Sequence, residues 1–319
     1  MVNVAIAGGT GGVGKTIVEV MQASPHQAFI LSRQLTSPKQ SSTSPDNTIA
    51  VDYNSIEEVA SRLEKHNIHT VISAFAVEGD SLAVSQRNLI QAADRSKTTK
   101  RFIPSGYAIP YPAAAVEVLP PLKDHFLALD ELRESGLEWT LFNNGIFLDY
   151  FGPSTMKSNL KPNVFVIDVA NKVAAIPGDG NSPVTFTYTY DLARFIVAAL
   201  DLEKWEEESR VVGDELTWNQ FVALAEACRG SKFDVYYDDV EKLKRFEITE
   251  LPGHQALYEH FPKKPFQWFM SIFELFTTDG SSHVQRAGSL NHQFPHIKVL
   301  SVKEMFDLYW GQTETDKGY

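Results

Sequence analysis

Gly8-Gly9-Thr10-Gly11-Gly12-Val13-Gly14-Lys15-Thr16 follows directly on the apolar run Val2-Asn3-Val4-Ala5-Ile6-Ala7, and its reading decides the fold. On Gly9, Gly14, Lys15 and Thr16 it fits a phosphate loop, in which backbone amides cradle phosphates, the lysine reaches the terminal ones and the threonine holds magnesium. On Gly9, Gly11 and Gly14 it fits the dinucleotide fingerprint, where glycine permits a tight turn, close approach to a pyrophosphate and close helix packing. Both readings put an anion at a helix N-terminus, so the choice falls to the surroundings.

The next apolar run, Ala28-Phe29-Ile30-Leu31, is followed at once by Ser32-Arg33. A strand, helix and strand of about 30 residues, with a charged side chain after the second strand, is the layout of a dinucleotide βαβ unit. An acid there would bond the ribose 2′-hydroxyl of NAD, whereas the planar fork of Arg33 suits the 2′-phosphate of NADP. A phosphate-loop enzyme also needs an acid at the end of a later core strand to organise magnesium. Of the runs 48–51, 70–73 and 101–104, the first alone ends in an acid, Asp52. With Tyr53 it is expected near the adenine, and the acid is then explained without a metal. Ser73-Ala74-Phe75 and Ser105-Gly106-Tyr107, small or neutral, suit the walls of a ribose or nicotinamide site. The phosphate-loop match is read as coincidental.

The chain has 319 residues, a net charge of −11 and one cysteine, Cys228. The acidic balance argues against nucleic-acid binding through a broad basic surface. A single cysteine in a helical pattern gives no internal disulfide and no thiolate metal cluster. His283 and His292 show no ligand spacing, so no metal is expected. The first apolar residues belong to a strand rather than a signal peptide, and no run reaches the ~20 apolar residues of a membrane span. A cytoplasmic monomer or homodimer acting on a small molecule is the expected setting, with no membrane partner.

Strands alternate with helical patterns at residues 13–23, 55–65, 82–96 and 123–135, which is the signature of a doubly wound parallel α/β sheet of Rossmann type. Residues 1–150 are read as the NAD(P)-binding domain, with part of the chain after residue 185 returning to it. Residues 151–319 are read as a smaller α+β substrate lobe. The Ser-, Thr- and Pro-rich tract between Arg33 and Thr48 is read as a mobile loop. The aromatic stretch 262–270 fits a lid or an oligomer contact, or plain core on one helix face. A Tyr-x-x-x-Lys pair, in which lysine lowers the phenol pKa for proton exchange, is absent: four residues beyond Tyr107 and Tyr111 stand Tyr111 and Ala115.

Taken in order, the opening glycine segment, Ser32-Arg33, Arg101-Phe102-Ile103-Pro104-Ser105-Gly106, Ser135-Gly136-Leu137-Glu138-Trp139-Thr140 and Asn143-Asn144-Gly145-Ile146-Phe147 resemble the NmrA-like and isoflavone-reductase-like branch of atypical short-chain dehydrogenases. The resemblance covers essentially the full length and is closer to fungal members than to plant ones. It implies a reductase using NADP(H) on a hydrophobic, aromatic or polyketide-like molecule. Gly8, Thr10, Gly11, Gly12, Val13, Ser32, Arg33, Asp52, Ala74, Phe75, Ser105, Gly106, Lys123, Asn143, Asn144, Gly145 and Phe147 are then expected at the cofactor, and Tyr107, Tyr150 and Phe151 at the substrate.

Reductases of that family carry a lysine early in the helix before the sixth strand. Counted back from Gly136 without a gap, the position falls on His125, and Lys123 lies two residues earlier. His125 could donate a proton near neutral pH, and Lys123 could do so if the helix starts earlier; Pro120-Pro121 would fix the helix entry. Asp149 beside Tyr150 could orient a substrate. The resemblance also admits redox-silent regulators that bind NAD(P), and enzymes that use the same pocket for non-redox cyclisation or isomerisation with His125 as general acid.

Overall fold

The computed structural model describes residues 1–33, 47–76 and 80–311. Most of the tract read as a mobile loop, residues 34–46, lies outside the described residues. The chain divides into two compact units. The first comprises Met1–Tyr107, Ala113–Asn143 and Leu192–Ser209, and the second Ala108–Pro112, Asn144–Asp191 and Arg210–Tyr319. Residues 192–209 return to the first unit, and residues 108–112 and 144–150 belong to the second.

The first unit is built on a six-stranded parallel sheet in the order β3-β2-β1-β4-β5-β6. Its strands are β1 (Asn3–Ala7), β2 (Gln27–Ser32), β3 (Thr48–Ala50), β4 (Ile68–Ser73), β5 (Arg101–Ile103) and β6 (Glu138–Trp139). Between them run helices α1 (Gly12–Met21), α2 (Ile56–Lys65), α3 (Arg87–Arg95) and α4 (Leu122–Glu134). This is the doubly wound order, whose direction reverses between β1 and β4. Val4, Ala5, Ile6 and Ala7 of β1 are fully buried, which is why the strand reads as a continuous apolar run rather than an alternating one. α2 shows how sequence sets a helix: Ser55 accepts the Glu58 N–H as N-cap, Glu57 and Glu58 occupy the first turn, and Arg62 and Lys65 the last.

Two expected elements are split. The helix expected over residues 82–96 begins as a π turn, Ser81–Gln86, before α3. The apolar run after Gly136 breaks at Thr140. β7 (Leu141–Asn143) leaves the parallel sheet, with the Leu141 N–H donating to Glu207 O at 2.9 Å and Thr140 Oγ1 bonding Ser209 Oγ at 2.8 Å.

In the second unit, two three-stranded sheets surround an aromatic core. Phe151 lies 4.7 Å from Phe221 and Phe186 5.2 Å from Trp218, ring centre to ring centre. The helix Trp218–Arg229 turns Trp218, Phe221, Val222 and Ala225 into that core, starts with a Thr217–Gln220 capping box and ends on Gly230 in the left-handed conformation. The aromatic stretch forms the helix Lys263–Leu275, with Phe266 and Met270 in the core.

Candidate active site

Register places the ends of the strands in one row. Ala7 pairs with Leu31 and with Ser73, and Ile72 with Ile103, so Gly8, Ser32-Arg33, Ala74-Phe75 and Ser105-Gly106 all emerge at the carboxyl edge of the first unit's sheet. Ligands bind at that edge in doubly wound folds, at the point where strand order reverses.

Gly8 makes the turn, at φ +76°; a Cβ there would lie 2.4 Å from Ala74 O. A Cβ on Gly14 would lie 2.3 Å from Gly8 O. The turn glycine is therefore Gly8 rather than Gly9, and Gly14 lets α1 close against it. α1 begins with Gly11 as N-cap, without a side-chain cap and without an acid in its first turn. Its first amides are left for an anion, the arrangement a pyrophosphate needs. The fit to magnesium is poor: Thr16 is fully buried and its hydroxyl bonds Gly12 O at 3.0 Å. Asp52 accepts from Asn54 N at 3.0 Å and from Asn54 Nδ2 at 3.1 Å, a turn contact at the entry to α2. Among the described residues no cluster of three or more His, Cys, Asp or Glu is arranged to hold a metal.

Arg33 is exposed immediately beyond β2, and Ser32 is half-buried. The neighbouring Tyr53 donates to Leu31 O at 3.2 Å and meets Phe75 edge-on at 5.1 Å. Burial raises its phenol pKa, and the charge of Arg33 partly opposes this. Thr10 and Gly11 are exposed, while Gly12, Val13, Ala74 and Phe75 are half-buried.

The segment Ser105-Gly106-Tyr107 is tightly held. Ser105 Oγ donates to Phe75 O at 2.7 Å, Ser105 N–H to Gln86 Oε1 at 2.7 Å, and Tyr107 Oη to Ser73 O at 2.9 Å. The phenol of Tyr107 is thus committed, and burial raises its pKa. His125, on the first turns of α4, is 4% exposed, hydrogen-bonds to the Ser105 backbone and lies against Gly106. Burial lowers its pKa to about 4, so the ring is neutral at pH 7. The expected proton donor near neutrality is therefore not realised at His125, because an imidazolium there would be desolvated. Lys123, one turn-start earlier on α4, is exposed, and its side chain makes no hydrogen bond or ion pair with the described residues.

Asn143 is 3% exposed and its amide donates to Glu208 Oε1 at 2.7 Å. The other expected residues belong to the second unit. Asn144 is fully buried, with its backbone N–H on Ala108 O at 2.9 Å. Gly145 has φ +73°, and a Cβ there would lie 2.2 Å from Thr185 O. Phe147 meets Tyr150 edge-on at 6.2 Å, and Tyr150, half-buried, has its pKa raised to about 12 by burial, with a further push from Asp149. Phe151 is 1% exposed in the aromatic core and has no surface to offer a substrate. Asp149 does not point to substrate chemistry either: its carboxylate accepts Thr189 N–H at 2.9 Å and Ser158 Oγ at 2.6 Å, serving the start of the helix Thr189–Ala199.

Gln86 is a polar group at this edge that sequence reading missed as a partner of the site, and it is fully buried. Gln86 carried a signal, a polar residue on an otherwise apolar helix stripe.

The sequence matches the NmrA-like family over residues 2–287. The chain belongs to the NmrA-like family. The chain is 34% identical to oxidoreductase BOA1 of Botryotinia fuckeliana, over 93% of this chain and 96% of that protein. It is 32% identical to oxidoreductase swnN of Metarhizium robertsii, over 97% and 98%. At that identity and coverage this NmrA-like protein is an oxidoreductase. Its fold matches the complex of leucoanthocyanidin reductase with NADPH from Vitis vinifera, with a TM-score of 0.71 and 18% identity over 96% of this chain and 98% of that one. No helix among the described residues is long and apolar enough to cross a membrane.

Proposed function

We propose that the protein is an NADPH-dependent reductase of a hydrophobic, aromatic or polyketide-like small molecule, with Lys123 as proton donor. The observation that carries this reading is the glycine cradle of Gly8 and Gly14 on the uncapped start of α1, with Arg33 exposed after the neighbouring strand. Similarity to relatives named oxidoreductases and likeness to a leucoanthocyanidin reductase solved with NADPH support it.

In this reading the loop of residues 8–13 holds the pyrophosphate at the start of α1, Arg33 meets the 2′-phosphate, and Ala74, Phe75, Ser105 and Gly106 wall the nicotinamide. The bound cofactor supplies hydride. The protein orients the acceptor carbon and provides the proton that the developing oxyanion needs. Lys123 fits that task better than His125 because its side chain is exposed on the first turn of α4, while His125 is buried and neutral. The neutral state of His125 also disfavours the acid-catalysed, non-redox reading, which relied on that ring.

The test is consumption of NADPH against a panel of aromatic ketones, enones and polyketide-like ketones, with wild type and Lys123→Met. Lys123→Met is expected to lower turnover by roughly 10²–10⁴-fold with NADPH affinity unchanged, the range for losing a general acid. Wild-type turnover in that variant overturns the role of Lys123. Tight NADPH binding with no substrate consumed across the panel favours the redox-silent reading.

A further inference from the structure

Gln86 closes the π turn Ser81–Gln86 at the entry to α3. Leu82, Gln86, Leu89, Ile90 and Ala93 share the buried stripe of this crossover, and Gln86, at 0% exposure, is its one polar member. Burial on such a stripe favours an apolar side chain. Gln86 Oε1 accepts the Ser105 N–H at 2.7 Å, while Nε2 is buried without a hydrogen-bond partner among the described residues. An amide kept buried with half of its hydrogen bonding unmet calls for an explanation beyond packing. π turns recur at functional sites, where the extra residue re-aims a side chain.

The explanation lies in what the satisfied half grips. Ser105 is held through its N–H by Gln86, through its hydroxyl by Phe75 O, and through its backbone by the His125 ring. The ends of β4 and β5 and the start of α4 are thereby tied together at one residue. Gln86 is the grip that comes from α3's side, and Pro104 just before Ser105 offers no N–H to share the load.

We propose that Gln86 is a positioning residue for the nicotinamide end of the cofactor site. It fixes the Ser105-Gly106 wall through the Ser105 N–H and does not touch the cofactor. This rests on the NADPH reading above. The adenosine end, formed by the glycine loop and Arg33, is set by β1, α1 and β2, which Gln86 does not hold.

The test is titration of wild type, Gln86→Met, Gln86→Leu and Gln86→Glu with two probes. These are NADPH and 2′,5′-ADP, which carries the 2′-phosphate and adenosine but no nicotinamide. The two apolar variants are made in parallel so that one failing to fold leaves the other. Gln86→Met or Gln86→Leu is expected to weaken NADPH roughly tenfold, the weight of one hydrogen bond to a positioned group, and to leave 2′,5′-ADP unchanged. Gln86→Glu keeps an acceptor oxygen for the Ser105 N–H and is expected to recover most of the NADPH affinity. Loss of both probes together, or of neither, makes Gln86 a structural residue and overturns the proposal. Wild-type protein that binds 2′,5′-ADP and NADPH equally well also overturns it, since no nicotinamide wall is then felt. Wild-type protein that binds neither overturns the NADPH reading and this one with it.

Discussion

The imidazole of His125 lies against the α-carbon of Gly106, so that a Cβ at Gly106 would stand 3.0 Å from His125 Cε1 and 2.6 Å from Leu141 Cδ1. A side chain there is opposed first by Leu141 and then by the ring, and not by the backbone conformation. Gly106→Ala should therefore displace His125 and Leu141, at a cost of about 1–3 kcal/mol of stability typical of overpacking. Because the displaced ring is the one that grips Ser105, NADPH affinity should fall in the same variant. Thermal melts and titrations check both; an unchanged melting temperature contradicts the packing.

His125 also sets an acid limit on stability. Its pKa is lowered by burial from 6.5 to about 4, so between those values the unfolded chain binds a proton that the folded chain refuses. The contribution is full above pH 6.5, is lost as pH falls toward 4, and amounts to about 3 kcal/mol as an order-of-magnitude figure. His125→Gln should flatten the stability profile across that window. Denaturant unfolding at several pH values reads the difference, and parallel profiles for both proteins would sink this account.

Glu274 acts in the opposite sense. It is 2% exposed on the helix Lys263–Leu275, its Oε2 has no partner among the described residues, and burial together with the nearby Asp238 raises its pKa well above the usual carboxyl range. A carboxyl with a raised folded-state pKa is tolerated below its unfolded pKa and becomes a growing liability as pH rises beyond it. Glu274→Gln should thus stabilise the protein at pH 8, on the order of 1–3 kcal/mol for relieving a poorly paired buried acid, with little effect at pH 4. Melting temperatures at the two pH values test it; equal shifts at both would show that charge is not the cause.

The parallel sheet was legible because each of its strands is a local apolar run and each helix a local periodicity, from β1 with its glycine loop to α2 with its Ser55 cap. The glycine cradle and Arg33, on which the cofactor proposal rests, were legible for the same reason, since Gly8 to Gly14 and Arg33 stand at strand ends that local pattern locates. What escaped depends on partners distant in sequence. β6 stops at Trp139 because Thr140 turns to Ser209 and Leu141 pairs toward Glu207, and no local signal marks that switch. Phe151 read as a pocket ring because aromaticity alone cannot separate a core from a wall; its neighbours Phe186, Trp218 and Phe221 decide it. His125 read as an acid because its unperturbed pKa is all a sequence supplies, and burial beside Gly106 reverses the inference. The π turn at Gln86 leaves only a polar residue on an apolar stripe as its trace.

In the proposed function the glycine cradle and Arg33 select NADPH. The most direct measurement is a parallel calorimetric titration of the purified protein with NADPH, NADH and ATP plus magnesium, repeated on Arg33→Asp. Wild type is expected to bind NADPH more tightly than NADH and to ignore ATP, and Arg33→Asp to lose the preference because the 2′-phosphate then meets a like charge. Binding of ATP with magnesium in place of NADPH, or an NADPH preference untouched by Arg33→Asp, would contradict it.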